Sequence, residues 1–337
     1  MSMVVSTLGL AEDDVRGVLE AASLAPSIHN SQPWRFALHA DRIEVHFDPA
    51  KRLRATDPES RELRLSCGAA LLNVRLALQE LGIRPLVSLL PGRDRAGGAL
   101  AVVRRGGQFT PTDESRSLLK AVESRRTNRH PFFDSEVPVG HRQHLVRAAE
   151  LERSWLHVVD TREEKTRLRD LVLRAHREQL ADPGVQSELT DWTGGRADSG
   201  HGVPPGSAGP TPAPQDEWAL RDFSPGVPVV RPSGKDYEPD PFMVVLCSFY
   251  DGPLAELQAG QALQRVLLTA TTLGLSASFM SQVVEVRRVR EDLRRALGGS
   301  LFPQTVLRLG FGSPVPPTPR RPIEELILAP CVSEQGS

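Results

Sequence analysis

Lysine is scarce in this 337-residue chain, occurring only at positions 51, 120, 165 and 235, so nearly all of its 41 basic residues are arginine. An isolated arginine is then a compositional habit, and only a cluster carries information. The formal net charge is −1, which argues against nucleic acid or an anionic membrane as the main partner. Cysteine is thin as well: Cys67, Cys247 and Cys331 are odd in number, widely spaced and form no Cys-x-x-Cys. Cys67 and Cys247 fall in apolar patterns, as buried thiols of a reducing cytosol would. No basic segment followed by an apolar core opens the chain, and no apolar run approaches a membrane span, so a soluble cytoplasmic protein is expected. Also lacking are a Ser-His-Asp set, a metal-ligand spacing and a glycine-rich nucleotide fingerprint. His141-x-x-His144 has no nearby acid and reads as a solvated helix face. Gly92 to Gly98 reads as a turn, since no Gly-Lys-Ser/Thr follows. What is present is 39% hydrophobic and 25% charged residues, a globular composition long enough for one large domain or two.

A helical pattern at Val15, Val18, Leu19 and Ala22 runs into Pro26, which disfavours helix at the residue before it. Phe36–Leu38 and Ile43–Phe47 predict a hairpin turned at Ala40-Asp41. Cys67, Leu71, Val74, Leu78 and Leu81 recur in steps of three and four, the stripe of a core-packed helix closed by Gly82. Leu86–Leu90 and Leu100–Val103 predict strands. The stretch from Gly68 to Ile83 matches that from Gly260 to Leu275 without a gap: Gly68 with Gly260, Leu71 with Leu263, Val74 with Val266, and Leu81-Gly82 with Leu273-Gly274. Downstream, Val102-Val103-Arg104-Arg105-Gly106 matches Val306-Leu307-Arg308-Leu309-Gly310. Amphipathic helices share leucine spacing by necessity. Matching glycines at both helix ends, with a matching strand beyond, indicate a tandem duplication whose period is too long for a solenoid. The halves divide as 1–110 and 111–337.

The second half opens with a helix capped by Thr112 or Asp113 and bearing Leu118, Leu119 and Val122 inward. Strands are expected at Trp155–Val159, Phe242–Phe249 and Thr305–Leu309, and helices at Glu163 to Leu180, Leu254–Leu273 and Val286–Leu297. Between Asp182 and Asp240 lie ten prolines and nine glycines with little period. Trp192, Trp218, Leu220 and Phe223 punctuate this insertion and suggest a docked segment, the alternative being a floppy one.

Two polar stretches stand apart from this core-building pattern. After Pro26 come Ser27, Ile28, His29, Asn30, Ser31 and Gln32, then Pro33-Trp34 and a strand; a short polar loop so placed can aim hydroxyl and amide groups at a ligand. The bland alternative is a turn with a buried tryptophan. Arg125, Arg126, Thr127 and Arg129 put three guanidinium groups and a hydroxyl within five residues. That set suits phosphate oxygens, or else is a solvated helix end favoured by the macrodipole.

The first run resembles the Pro-Ser-x-x-Asn-x-Gln-Pro-Trp signature of the nitroreductase family of FMN oxidoreductases, and the second its Arg-x-Ser-x-Lys/Arg motif with Thr127 in the serine place. The resemblance implies an α+β, nitroreductase-like fold. It places Ser27, Ile28, Asn30 and Gln32 along the flavin, and Arg125, Arg126, Thr127 and Arg129 on its phosphate and ribityl groups. Near the C-terminus Arg320 matches a family arginine, but Thr318 stands where many members carry lysine, with Arg321 or Arg126 as replacements. Gly274 to Gln282 matches the family's loop near flavin N5, which implies largely main-chain contacts from Met280, Ser281 and Gln282.

Motif order departs from the ordinary family pattern. The first half has the loop but no arginine motif before it; the second has the arginine motif but no second loop. These complementary losses imply one FMN between fused halves, an intrachain pseudodimer working as a monomer, and the arrangement resembles the Acg-like branch, with 182–240 as a lid. The implied function is hydride transfer through flavin N5 from NAD(P)H to a small-molecule acceptor such as a nitroaromatic or quinone, with no protein acid or base required. The alternative is a lid-closed protein that sequesters or stores FMN. An acceptor-specific biosynthetic oxidoreductase is a third reading.

Overall fold

Alternating and helical periods resolve into one topology used twice. The computed structural model describes residues 4–92, 98–193, 200–218, 220–223 and 236–329. Helix α1 (Glu12–Ser23) stops short of Pro26, β1 (Trp34–His39) and β2 (Arg42–Phe47) form the expected hairpin, and α2 (Arg61–Glu80) leads to β3 (Ile83–Leu89) and β4 (Ala101–Gln108). Helix α3 (Asp113–Ser124) starts at Thr112, whose hydroxyl accepts from the Ser115 amide while Ser115 Oγ accepts from the Thr112 amide, a reciprocal cap. Then come α4 (Val139–Leu151), β5 (Trp155–Val159), α5 (Arg162–Leu180), α6 (Pro183–Trp192) and the short α7 (Pro205–Ala208). The chain continues through β6 (Phe242–Ser248), α8 (Pro253–Thr272), β7 (Ser276–Phe279), α9 (Gln282–Glu285), α10 (Arg287–Ala296), β8 (Phe302–Gly310) and α11 (Ile323–Leu326).

The two four-stranded sheets have orders β1-β2-β4-β3 and β5-β6-β8-β7, the same order in each, with all neighbours antiparallel. The match extends to register. Val103 pairs with Ile43 on one side and Val87 on the other; Leu307, its counterpart in the duplicated stretch, pairs with Val244 and Phe279. Helices α2 and α8, which join the two antiparallel strand pairs of each sheet, pack on each other. Both are followed by a left-handed glycine, Gly82 at φ +76° and Gly274 at φ +73°, which lets the chain turn back at once. Arg64 and Glu256, each four residues before a matched glycine, are ion-paired with each other across this contact. The α+β fold with tandem halves is thus visible in strand order, register and helix contact.

Helix α2 buries Cys67, Leu71, Val74 and Leu78 completely, in one core with Val15, Leu19, Phe36 and Ile43. Leu81 departs from the expected stripe: it is 39% exposed because it caps the helix instead of continuing it. The second sheet has a core on each face, one with Leu145, Leu263 and Leu307, the other with Val172, Trp218 and Val245. Cys67 and Cys247 are buried free thiols; Cys331 lies outside the described residues.

Two expectations need correction. Gly274 to Gln282 is not simply a loop: Ser276–Phe279 pairs with β8 as an edge strand, because β6 takes only one edge of β8 and leaves the other open to a partner. The region after Asp182 is not without period at its start: Asp182 accepts from the Gly184 and Val185 amides and Pro183 takes the first helical position, opening α6, a start signal in its own right. Helix α4 carried only the His141/His144 spacing as a hint. Within the proposed lid, residues 194–199, 219 and 224–235 lie outside the described residues. Among the described residues no helix is long and apolar enough to cross a membrane.

Candidate functional site

The loop after α1 is held in an unusual shape. His29, Asn30 and Gln32 have φ of +49°, +54° and +49°, a left-handed backbone that non-glycine residues adopt at a cost of ~1–3 kcal/mol each and that neighbours must enforce. Ser27 Oγ accepts from the Gln32 amide at 3.0 Å. Gln32 Oε1 accepts from the Arg321 amide at 2.9 Å, and Gln32 Nε2 donates to the Gly200 carbonyl at 2.7 Å. Asn30 Nδ2 donates to the carbonyls of Gly202 and Pro319, each at 3.0 Å. Three remote pieces of chain therefore meet on one loop: its own half, the insertion and the C-terminal segment.

Arginines gather around it. Arg320 donates through Nη1 to Asn30 Oδ1 and, at 2.7 Å, to Thr318 Oγ1. Its Nη2 reaches the Leu24 carbonyl at 3.4 Å, and Arg125 Nη2 reaches the same oxygen at 3.5 Å. Arg125 arrives there because it caps the C-terminus of α3; Arg126 turns back onto the Glu123 and Arg125 carbonyls. Among the described residues none of Arg125, Arg126, Arg129 and Arg320 is ion-paired. Nε and Nη1 of Arg125 and Nε of Arg320 are buried without an acceptor. Burial, then repulsion from Arg320 and Arg126, pulls the Arg125 guanidinium down to about 9. Burial and Arg126 hold Arg320 at about 10, and burial with Arg221 holds Arg129 at about 10. Buried cations with vacant N–H donors are costly unless an anion satisfies them.

Beside this cluster an open cleft, enclosing about 650 Å³ when its mouth to solvent is included, draws its wall from both halves. Ser27, Ile28, Thr127, Arg129 and Ser281 share that wall. The Thr127 segment is positioned by pairing with β7, the Asn128 amide donating to the Ala277 carbonyl at 2.8 Å. Met280 and Gln282 line an adjoining cleft that also touches Arg129. Gln32 and Arg321 stand off the wall: Arg321 pairs with Asp48 at 3.4 Å and Glu325 at 3.3 Å, and so does not join the unpaired cluster.

Several wall residues escaped sequence reasoning. Glu62 and Ser66 enter from the first turns of α2, and Gln304 and Thr305 from β8. The first two form a polar i,i+4 pair ahead of the apolar stripe, the one local signal available. Arg221 and Phe223 enter from the insertion. Phe223 lies under the Arg129 guanidinium at 4.2 Å and meets the His29 ring edge-on at 6.2 Å; its presence among the apolar punctuation of the insertion was the only sign. The whole can take a ligand with an anionic group at the arginine end and a body matching mixed hydroxyl and apolar walls.

No protein-family model matches the chain. It is 34% identical over 322 residues, covering 94% of this chain and 91% of the relative, to a Mycobacterium tuberculosis protein named "Putative NAD(P)H nitroreductase Rv3131". It is 30% identical over 326 residues, 93% of this chain and 95% of the relative, to "Putative NAD(P)H nitroreductase acg" of that organism. Among solved structures, the "putative nitroreductase in complex with fmn" from Desulfovibrio desulfuricans aligns at a TM-score of 0.37 and 16% identity, over 65% of this chain and 98% of the other.

Proposed function

The chain belongs to the nitroreductase family, and from that premise we propose that it is an FMN-dependent oxidoreductase taking electrons from NAD(P)H for a nitro, quinone or related small-molecule acceptor. The observation that carries the reading is the set of buried, acceptorless N–H donors on Arg125 and Arg320. A phosphate monoester dianion supplies the charge and the oxygens those donors lack, in the planar bidentate geometry that arginine favours. Arg125 and Arg320, with Arg126 adding charge, would hold the phosphate. Asn30 would keep Arg320 aimed, and Ser27, Thr127, Arg129 and Ser281 would line the rest of the ligand. FMN, when bound, supplies two-electron hydride chemistry that no side chain possesses. Halves 1–110 and 111–337 would each contribute part of one site, so that the fused pair works as a monomer.

A second reading is sequestration of FMN behind a lid. It is favoured by one observation: the insertion sends Arg221 and Phe223 to the cavity wall and Gly200 and Gly202 onto the strained loop. One experiment separates the two. The purified protein should be yellow and release FMN on denaturation; anaerobic NADH or NADPH should bleach it, and a nitroaromatic or quinone should restore the colour. Bleaching by dithionite alone favours sequestration, and a colourless protein that cannot be reconstituted with FMN defeats both.

A further inference from the structure

Among the described residues, the other glutamates with buried carboxylates hold a guanidinium. Glu256 pairs with Arg64, Glu152 with Arg75 and Arg265, and Glu285 with Arg221. Glu62 is the exception. It sits in the first turn of α2 and lines the same cleft, whose wall also includes residues of the second half. Among the described residues it makes no side-chain hydrogen bond or ion pair. Its neighbour Arg61 does not serve it, donating instead to the Val284 carbonyl at 3.3 Å and to Gln304 Oε1 at 2.8 Å. A carboxyl group facing a ligand cavity without a counter-ion is poor as a structural anchor and well placed as a proton store.

We propose that Glu62 is the proton donor to the acceptor, so that the acceptor receives hydride and proton in the same cavity. This rests on the oxidoreductase reading above and adds a protein acid to it. FMN, when bound, would supply a quinone acceptor with two electrons and one hydrogen as hydride, and the acceptor would then carry negative charge on one oxygen. That oxygen then takes the Glu62 proton: its O–H bond forms as the carboxyl O–H breaks, and the Glu62 carboxylate recovers a proton from water. The surroundings favour the protonated form of Glu62. Burial and the negative charges of Glu285 on α9 and Asp57 ahead of α2 push its pKa well up, against the opposing pull of Arg61 and Arg221. The other ionisable residues of the cavity wall are His29 and Arg129.

The first test needs no cofactor. Infrared spectra of the full-length protein without FMN, at neutral pH, should show a protonated carboxyl band that is missing in Glu62→Gln; the absence of such a band in the wild type overturns the proposal. The second uses FMN-loaded protein reduced by dithionite and mixed with 1,4-benzoquinone. Glu62→Gln should slow reoxidation ~100-fold and abolish its decline with rising pH, while Glu62→Asp retains that decline; a merely structural role would not move the pH profile. Wild-type FMN affinity with unchanged reoxidation in Glu62→Gln overturns this proposal and spares the parent reading. Failure of the wild type to bind FMN overturns the parent reading and this one with it. Wild-type infrared titration decides the matter should the variants fold poorly.

Discussion

A methyl group on Gly68 would lie 2.2 Å from the carbonyl oxygen of Leu257, and one on Gly260 would lie 2.1 Å from the carbonyl oxygen of Leu65. The two glycines occupy the same place in the two repeats and their Cα atoms abut, so α2 and α8 meet backbone to backbone. Each glycine is required by its counterpart.

Gly68→Ala or Gly260→Ala must therefore push the helices apart. The expected cost is about 1–3 kcal/mol, the range for overpacking a close contact, seen as a lower urea midpoint at unchanged m-value. The double variant should cost less than the sum, because the first separation makes room for the second methyl. Strict additivity would count against a shared contact.

Arg125 and Arg320 should show opposite effects with and without an anion. Arg125→Met removes a buried cation that among the described residues has only a long contact to Leu24, so the ligand-free protein should gain about 1–4 kcal/mol. The same change should weaken FMN binding by about 1.5–3 kcal/mol, the value of a charge-assisted hydrogen bond. Thermal melts with and without inorganic phosphate, paired with FMN titrations, read both signs. Loss of stability together with unchanged FMN affinity would refute the phosphate assignment.

The Arg221–Glu285 pair ties the insertion to α9, with side-chain exposures of 8% and 1%. Gln179 completes it, accepting from Arg221 and donating to Glu285 at 2.6 Å each. Arg221→Ala leaves a buried carboxylate unpaired and should cost about 3–5 kcal/mol, whereas Arg221→Met with Glu285→Met should be far milder. Equal losses in the two proteins, measured by chemical denaturation, would show that the charge pair is not what matters.

His29 gives a pH dependence of definite sign. Burial, then the charges of Arg221 and Arg129, lowers its pKa from 6.5 to about 3. The unfolded chain thus takes a proton near pH 6.5 that the folded one refuses. The stability linked to His29 is complete above pH 6.5 and is lost progressively down to about pH 3, with about 2 kcal/mol gone by pH 5. Glu62, with a raised pKa, acts in the opposite sense: its contribution is present below the ordinary carboxyl range and is lost as pH rises. The difference between wild type and His29→Asn, which tolerates the left-handed backbone, isolates the histidine term. Parallel stability curves over pH 5 to 7 would contradict it.

Much of the fold was legible because it is written in short-range period. The leucine steps of α2 and α8, their closing glycines and the strand after each recur at matched positions, and register followed: Val103 and Leu307 hold equivalent places. The Ser27–Asn30 loop and the Arg125–Arg129 run were legible as polar breaks in that period. Leu81 misled because a helix stripe and its cap look alike in sequence.

By itself the sequence determined that two like units would be built and which polar stretches stood outside their cores, since backbone propensity and alternation act over a few residues. Only the tertiary structure decided which charges would be left alone. Arg125 and Arg321 both lie in arginine clusters, yet one is without an anion and the other meets Asp48; Glu62 and Glu256 both begin helices, yet one faces a cavity and the other a guanidinium. Whether a buried charge is satisfied depends on residues hundreds of positions away, and on desolvation that exists only once the chain has closed around it.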